Sequence, residues 1–161
     1  DYRAHGGLVG LTRALGMEGA AIVQEVTDSG LRGRGGAGFP TGIKWKTTLG
    51  ASADQKYIAC NADEGDSGTF ADRMVMEGDP LMLIEGMTIA AVAVGATKGY
   101  IYIRSEYPDA IATMKEAIAA AVAVCLGLEA GGGTPEEFQK LIESDTLRYG
   151  EAIRRMGIKV D

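Results

Sequence analysis

The chain has 161 residues, 46% hydrophobic and 24% charged, with a formal net charge of −6. That size and balance predict one globular domain, or one domain and a fragment, and exclude a disordered chain. The negative balance argues against general nucleic-acid binding, which needs a basic face; the longest apolar run, residues 117–128, falls short of the roughly 20 residues of a membrane span.

Cys60 and Cys125 form neither a CxxC pair nor a cluster with histidine, so no zinc site or disulfide framework is expected. Both read as buried thiols of a reducing compartment. His5, the only histidine, reads as a surface residue. The chain opens on Asp1-Tyr2-Arg3 with no export signal visible, and a cytoplasmic location is the expectation.

Residues 1–29 read as two short helices. Leu8, Leu11 and Leu15 lie on one face and Ile22, Val23 and Val26 on the next, with Gly16 and Gly30 as stops. Then comes Leu31 to Trp45, LRGRGGAGFPTGIKW, in which Gly33, Gly35, Gly36, Gly38 and Gly42 alternate with Arg32, Arg34 and Lys44. Glycine admits positive φ and lets a ligand reach backbone N–H groups, which can form an anion-binding nest. Phe39 and Trp45 add flat apolar surface, so a ligand carrying both phosphate and an aromatic ring suits the stretch. Gly33-x-Gly35-x-x-Gly38 fits the dinucleotide fingerprint, but that fingerprint requires a strand before it, and residues 18–29 carry helical spacing. A plain flexible loop is the competing reading, against which the interleaved cations and aromatics argue.

Residues 43–49 begin a helix whose N-terminal dipole faces the glycine loop. Tyr57 to Cys60 suits a buried strand, released into Asn61-Ala62-Asp63-Glu64-Gly65-Asp66-Ser67-Gly68-Thr69. Ligands bind at the carboxyl ends of parallel strands, and Asn and carboxylates there can hold hydroxyls and ring N–H groups. The order of ligands in a calcium loop is absent; a capping role for Ser67 or Thr69 at a helix over residues 70–77 is the alternative. Asp79-Pro80 opens an apolar helix over residues 81–94. Met74, Met76, Met82 and Met87 read as core filling. Gly99 to Ile103 is a second strand, ending in Arg104-Ser105-Glu106-Tyr107, and a third helix runs from Pro108 through Met114, Ile118 and Val122. Strand, helix, strand predicts a right-handed βαβ crossover. After Gly131-Gly132-Gly133, a capping box at Thr134-Pro135-Glu136-Glu137 starts an amphipathic helix carrying Phe138, Leu141, Ile142, Leu147 and Ile153. The expected fold is therefore α/β: a Rossmann-like parallel sheet with flanking helices, as a partial domain, plus a C-terminal amphipathic helix.

SGLRGRGGAGFPTGIKW (29–45) with NADEGDSGTFADR (61–73) closely resembles the NADH-accepting flavoprotein subunit of NADH:quinone oxidoreductase, NAD-reducing hydrogenase and NAD-dependent formate dehydrogenase. EGDP (77–80) and GYIYIRSEYP (99–108) extend the resemblance, which covers about residues 1–120. It implies FMN contacts from Gly33, Gly35, Lys44, Asn61, Asp63 and Glu64, adenine stacking by Phe39, and a nucleotide contact on the nicotinamide side from Asp66, where many members carry Glu. It implies FMN as cofactor, NADH as substrate, other subunits of an electron-transfer complex, including an iron–sulfur subunit, as partners, and no catalytic acid, base or metal ligand. The family's iron–sulfur cluster has no ligand set here, since two separated cysteines cannot form a four-cysteine site. Residues 126–161 resemble the C-terminal end of solute receptors of the tripartite tricarboxylate transporter type, so residues 121–161 are expected to be a helical tail of different origin, joined between Ala117 and Leu126. The implied function is a truncated FMN-dependent NADH dehydrogenase module; the alternatives are a flavin- or nucleotide-binding module without turnover and a remnant that binds nothing.

Overall fold

The computed structural model describes residues 2–123, which fall within one compact unit. Cys125, the capping box at Thr134, the expected tail helix and the resemblance over 126–161 lie outside the described residues. A 3-10 turn at Tyr2–His5 leads into α1 (Val9–Leu15), α2 (Gly19–Asp28), α3 (Thr41–Gly50), β1 (Tyr57–Ala62), α4 (Ala71–Gly78), α5 (Pro80–Val94), β2 (Lys98–Ile103) and α6 (Pro108–Ala123). The strands form a two-stranded parallel sheet, paired from Tyr57 with Lys98 to Ala62 with Ile103.

The axis of the unit is α5. The Asp79 carboxylate accepts from the Met82 N–H at 3.3 Å, Pro80 takes the first helical position where no N–H is needed, and Gly95 closes the helix at φ 74. The helix contacts α1, α2, α3, α4, α6 and both strands, which is why its sequence is apolar on nearly every side. Toward its N-terminal half, Ile84 joins Ala62, Met76, Ala110, Met114 and Ala117 in one core cluster. Toward its C-terminal half, Ala93 and Val94 pack with Ala14, Ile22 and Val23 in another, bordered by Trp45, Leu49 and Ile58.

Alternation along the strands sorts the sheet's faces. Cys60, Ala62, Ile101 and Ile103 turn to the first core cluster, whereas Ala59, Asn61 and Tyr102 remain exposed. The strand expected over Tyr57 to Cys60 therefore runs two residues further and is half-buried rather than buried, because only one of its faces is covered.

Other expectations change where tertiary contacts overrule local pattern. Met76 is buried, but Met74 and Met82 are exposed, since α4 and the first turn of α5 present one side to solvent. Leu15 is exposed and Ala14 takes its place in the core. Neither Ser67 nor Thr69 caps α4: the Thr69 hydroxyl donates to the Asp66 carbonyl oxygen at 2.7 Å, and the capping acceptor is the Glu64 carboxylate.

A charged group lies inside the unit. Glu85 on α5, only 9% exposed, accepts from the Leu8 and Leu11 N–H groups at 2.9 Å each and from the Tyr2 hydroxyl. It thus caps α1, whose own N-cap residue, Leu8, sits at φ 68 without a capping side chain. Burial would raise the Glu85 carboxyl, but these three donors outweigh it and hold the group below its ordinary value. The Tyr2 hydroxyl, desolvated and bonded to that carboxylate, is pushed up to about 12.

Candidate functional site

The first candidate region is the connection between α2 and α3. The Gly33 N–H donates to the Phe39 carbonyl oxygen at 2.9 Å and the Thr41 N–H to the Leu31 carbonyl oxygen at 2.9 Å, so Arg32 and Pro40 form an antiparallel bridge. The Arg32 guanidinium ties the loop tip by donating to the Gly38 carbonyl oxygen at 2.9 Å. Gly36 and Gly38 stand at φ 96 and 59, and a Cβ built on Gly35, Gly36 or Gly38 would meet nothing within 4 Å. The backbone here is left-handed where glycine is required and open where a ligand would approach. A helix precedes the loop, so GxGxxG does not occupy a strand–turn–helix unit.

The loop opens directly into α3. Gly42, in the first turn, lies against α2 so closely that a Cβ would stand 2.2 Å from Thr27 Oγ1 and 2.7 Å from Thr27 Cα. This contact holds α3 in place and presents its outer face. There the Lys44 ammonium lies 5.9 Å from the centroid of the Phe39 ring, at the limit of a cation–π contact. An open groove of about 390 Å³ is lined by Phe39, Ile43, Lys44, Thr47 and Thr48. Trp45 is no part of it; adjacent residues on a helix point about 100° apart, and Trp45 turns into the core beside Leu49 and Ile58. The aromatic surface expected from two residues is therefore supplied by Phe39 alone, 46% exposed.

The second region lies at the carboxyl ends of the two strands. Asn61 is inside β1, and its Oδ1 accepts from the Asp63 N–H at 3.1 Å, forming an Asx turn. Glu64 follows at φ 45, a left-handed conformation that costs a non-glycine residue about 1 kcal/mol. The next turn holds it there. Its carboxylate accepts from the Asp72 and Arg73 N–H groups at 2.9 and 3.1 Å, capping α4, and its carbonyl oxygen accepts from Arg104 Nη1 at 3.1 Å. Burial would raise the Glu64 carboxyl, but the N–H groups of Asp72, Arg73 and Ala71 prevail and keep it low. Asp72 is raised by desolvation and by Glu64, and Cys60 by burial and by Asp72. Asp66 is exposed in the following turn, where its carbonyl oxygen accepts from the Thr69 N–H at 3.2 Å.

Arg104, which immediately follows β2, is not singled out by sequence. In-register parallel pairing ends β2 opposite the end of β1, so the residue after Ile103 meets the residues after Ala62. Besides Glu64, the guanidinium donates to Glu106 at 2.8 Å and holds that carboxyl down to about 2. It lies 5.5 Å from the centroid of Tyr107, and the Arg73 guanidinium lies 5.4 Å from the same ring. The run Arg104 to Tyr107 at a strand's carboxyl end was the available signal. The structure brings Phe39 and Lys44 together, and separately Asn61, Asp63 and Glu64. Among the described residues no hydrogen bond, ion pair or ring contact joins the two groups, and none forms a metal-ligating cluster.

A family model described as the Nuo51 FMN-binding domain matches residues 26–134. The chain is 58% identical over 118 residues to the HndC polypeptide of the NADP-reducing hydrogenase of Solidesulfovibrio fructosivorans, covering 73% of this chain and 24% of that protein. It is 42% identical over 151 residues to a component of the NADH-quinone oxidoreductase of Escherichia coli K12, covering 92% and 34%. A crystal structure of an air-oxidised NAD+-reducing nickel–iron hydrogenase superposes with a TM-score of 0.62 at 44% identity, over 65% of this chain and 18% of the other. The chain thus spans about a quarter of the length of the first of these relatives and about a third of the second.

Proposed function

The chain belongs to the Nuo51 FMN-binding domain family, and from that premise we propose that it is a portion of an FMN-dependent NADH dehydrogenase module within a larger electron-transfer complex. The observation that carries this reading is the open glycine loop set against the exposed Lys44 and Phe39 at the start of α3. FMN fits that chemistry. Unhindered glycine backbone and a cation suit its phosphate, while a polar turn at a parallel strand's carboxyl end suits ribityl hydroxyls and ring N–H groups.

In this reading Gly33, Gly35 and Lys44 hold the phosphate side of FMN. Asn61, Asp63 and Glu64 form the polar wall, with Asp63 and Glu64 set by the Asx turn and the α4 cap. Because the Gly33 N–H closes the loop onto Phe39, its part is to let the ligand approach, and open donors are left to neighbouring residues. Phe39 stacks on the adenine of NADH, and Asp66 holds the nicotinamide side. When bound, the flavin supplies the acceptor for a hydride from NADH. No acid or base is required of the protein, whose work is to orient and to exclude water.

The partners proposed are the remaining portion of the flavin domain and an iron–sulfur subunit; Cys60 and Cys125 provide no ligand set for the cluster that the flavoprotein family itself carries. A cytoplasmic location belongs to the same proposal and rests on the motif-bearing residues; no helix among the described residues is long and apolar enough to cross a membrane. The test is anaerobic addition of NADH to the chain loaded with FMN. Bleaching of the flavin's visible absorption is expected. Bound flavin that NADH leaves oxidised would favour a binding module without turnover.

A further inference from the structure

Asn61, Asp63 and Glu64 lie in a turn that carries a left-handed glutamate, and three ties keep it in one conformation. Two of its ties are local. The Asp63 N–H returns to Asn61 Oδ1, and the Glu64 carboxylate faces the start of α4. The third comes from the other strand: Arg104 Nη1 reaches the Glu64 carbonyl oxygen at 3.1 Å across a gap of 40 residues in sequence. Its second nitrogen is fixed by Glu106 at 2.8 Å, and its plane lies near the Tyr107 ring. The Tyr107 hydroxyl in turn lies 3.5 Å from Glu64 Oε2 and from the Thr69 carbonyl oxygen, so it reaches both Glu64 and the segment that leads into α4. The guanidinium is thus held by one fork arm so that the other can hold the turn.

Resting on the flavin reading, we infer that Arg104 is a positioning residue, which locks the Asn61–Glu64 turn in the conformation that meets the flavin. A guanidinium is needed because one rigid fork serves Glu64 and Glu106 together. A lysine ammonium keeps the charge but not the paired geometry.

The experiment uses the full 161-residue chain, its R104A and R104K variants, and two readouts. The first needs no flavin: amide hydrogen exchange at Asp72 and Arg73, whose N–H groups bond the Glu64 carboxylate, with Leu8 and Leu11, bonded to Glu85, as internal controls. R104A is expected to speed exchange about tenfold at Asp72 and Arg73 and to leave the controls unchanged, as loss of one charge-assisted bond implies. The second is FMN titration followed by fluorescence and visible circular dichroism. R104A is expected to weaken binding about tenfold and change the flavin's dichroic band, with R104K intermediate. If R104A does not fold, R104K is read at the same amides and the same band. Unchanged exchange at Asp72 and Arg73, or wild-type affinity with a wild-type band in a folded variant, overturns the inference. If the unaltered chain binds no FMN, the flavin reading fails for this chain, and the exchange result alone decides whether Arg104 holds the turn.

Discussion

Single side chains in this protein carry several duties, and Glu64 is the clearest case. Its carboxylate replaces the missing cap of α4, its carbonyl oxygen accepts from Arg104, and its backbone is left-handed. Glu85 likewise caps a helix through space, accepting from N–H groups at the start of α1. The Tyr2–Glu85 pair makes a pH prediction. Folding raises the Tyr2 hydroxyl from 10.0 to about 12, so the protonated form is favoured in the folded state and its stabilisation is complete below pH 10. That contribution is lost as pH rises from about 10 to 12, and urea midpoints across this range should fall further for the wild type than for Tyr2→Phe. The Glu85 carboxyl is lowered, so its own contribution is present above its unfolded pKa and is lost as acid protonates it, through its lowered folded value.

At the scale of elements, what was legible in the sequence was what neighbouring residues dictate. The Asp79-Pro80 start of α5, the parallel strand–helix–strand order and the glycine loop ahead of α3 all rest on short-range chemistry. The cap by Glu64 was not legible, because Ser67 and Thr69 are the stronger local candidates and only the folded turn points the glutamate at α4. Burial of Glu85 was hidden as well: its donors Leu8 and Leu11 lie 77 and 74 residues away, so nothing beside it announces them. Trp45 falls on the wrong side when loop composition is weighed ahead of helical phase. The α2–α3 contact yields a sharper test. Gly42→Ala would place a Cβ 2.7 Å from Thr27 Cα, a backbone atom that no side-chain rotation moves away. Forced separation of packed elements costs about 1–3 kcal/mol, and denaturant unfolding should show that loss. Because α3 also carries Lys44, FMN affinity should fall with it even though residue 42 is not among the proposed contacts.

For the whole molecule, two candidate regions occur on one unit built around α5: the glycine loop with the α3 face, and the turns released by the strands. The unit contains a two-stranded parallel sheet with one open face, and the chain spans 24% of HndC and 34% of the Escherichia coli relative. Both regions are proposed to bind flavin. The direct measurement is titration of FMN with the purified chain, followed by flavin fluorescence and repeated with Lys44→Ala and Asn61→Ala. Saturable quenching is expected, weakened about tenfold by each substitution, roughly the worth of one hydrogen bond. Fluorescence that stays that of free FMN with protein in large excess would contradict the proposal.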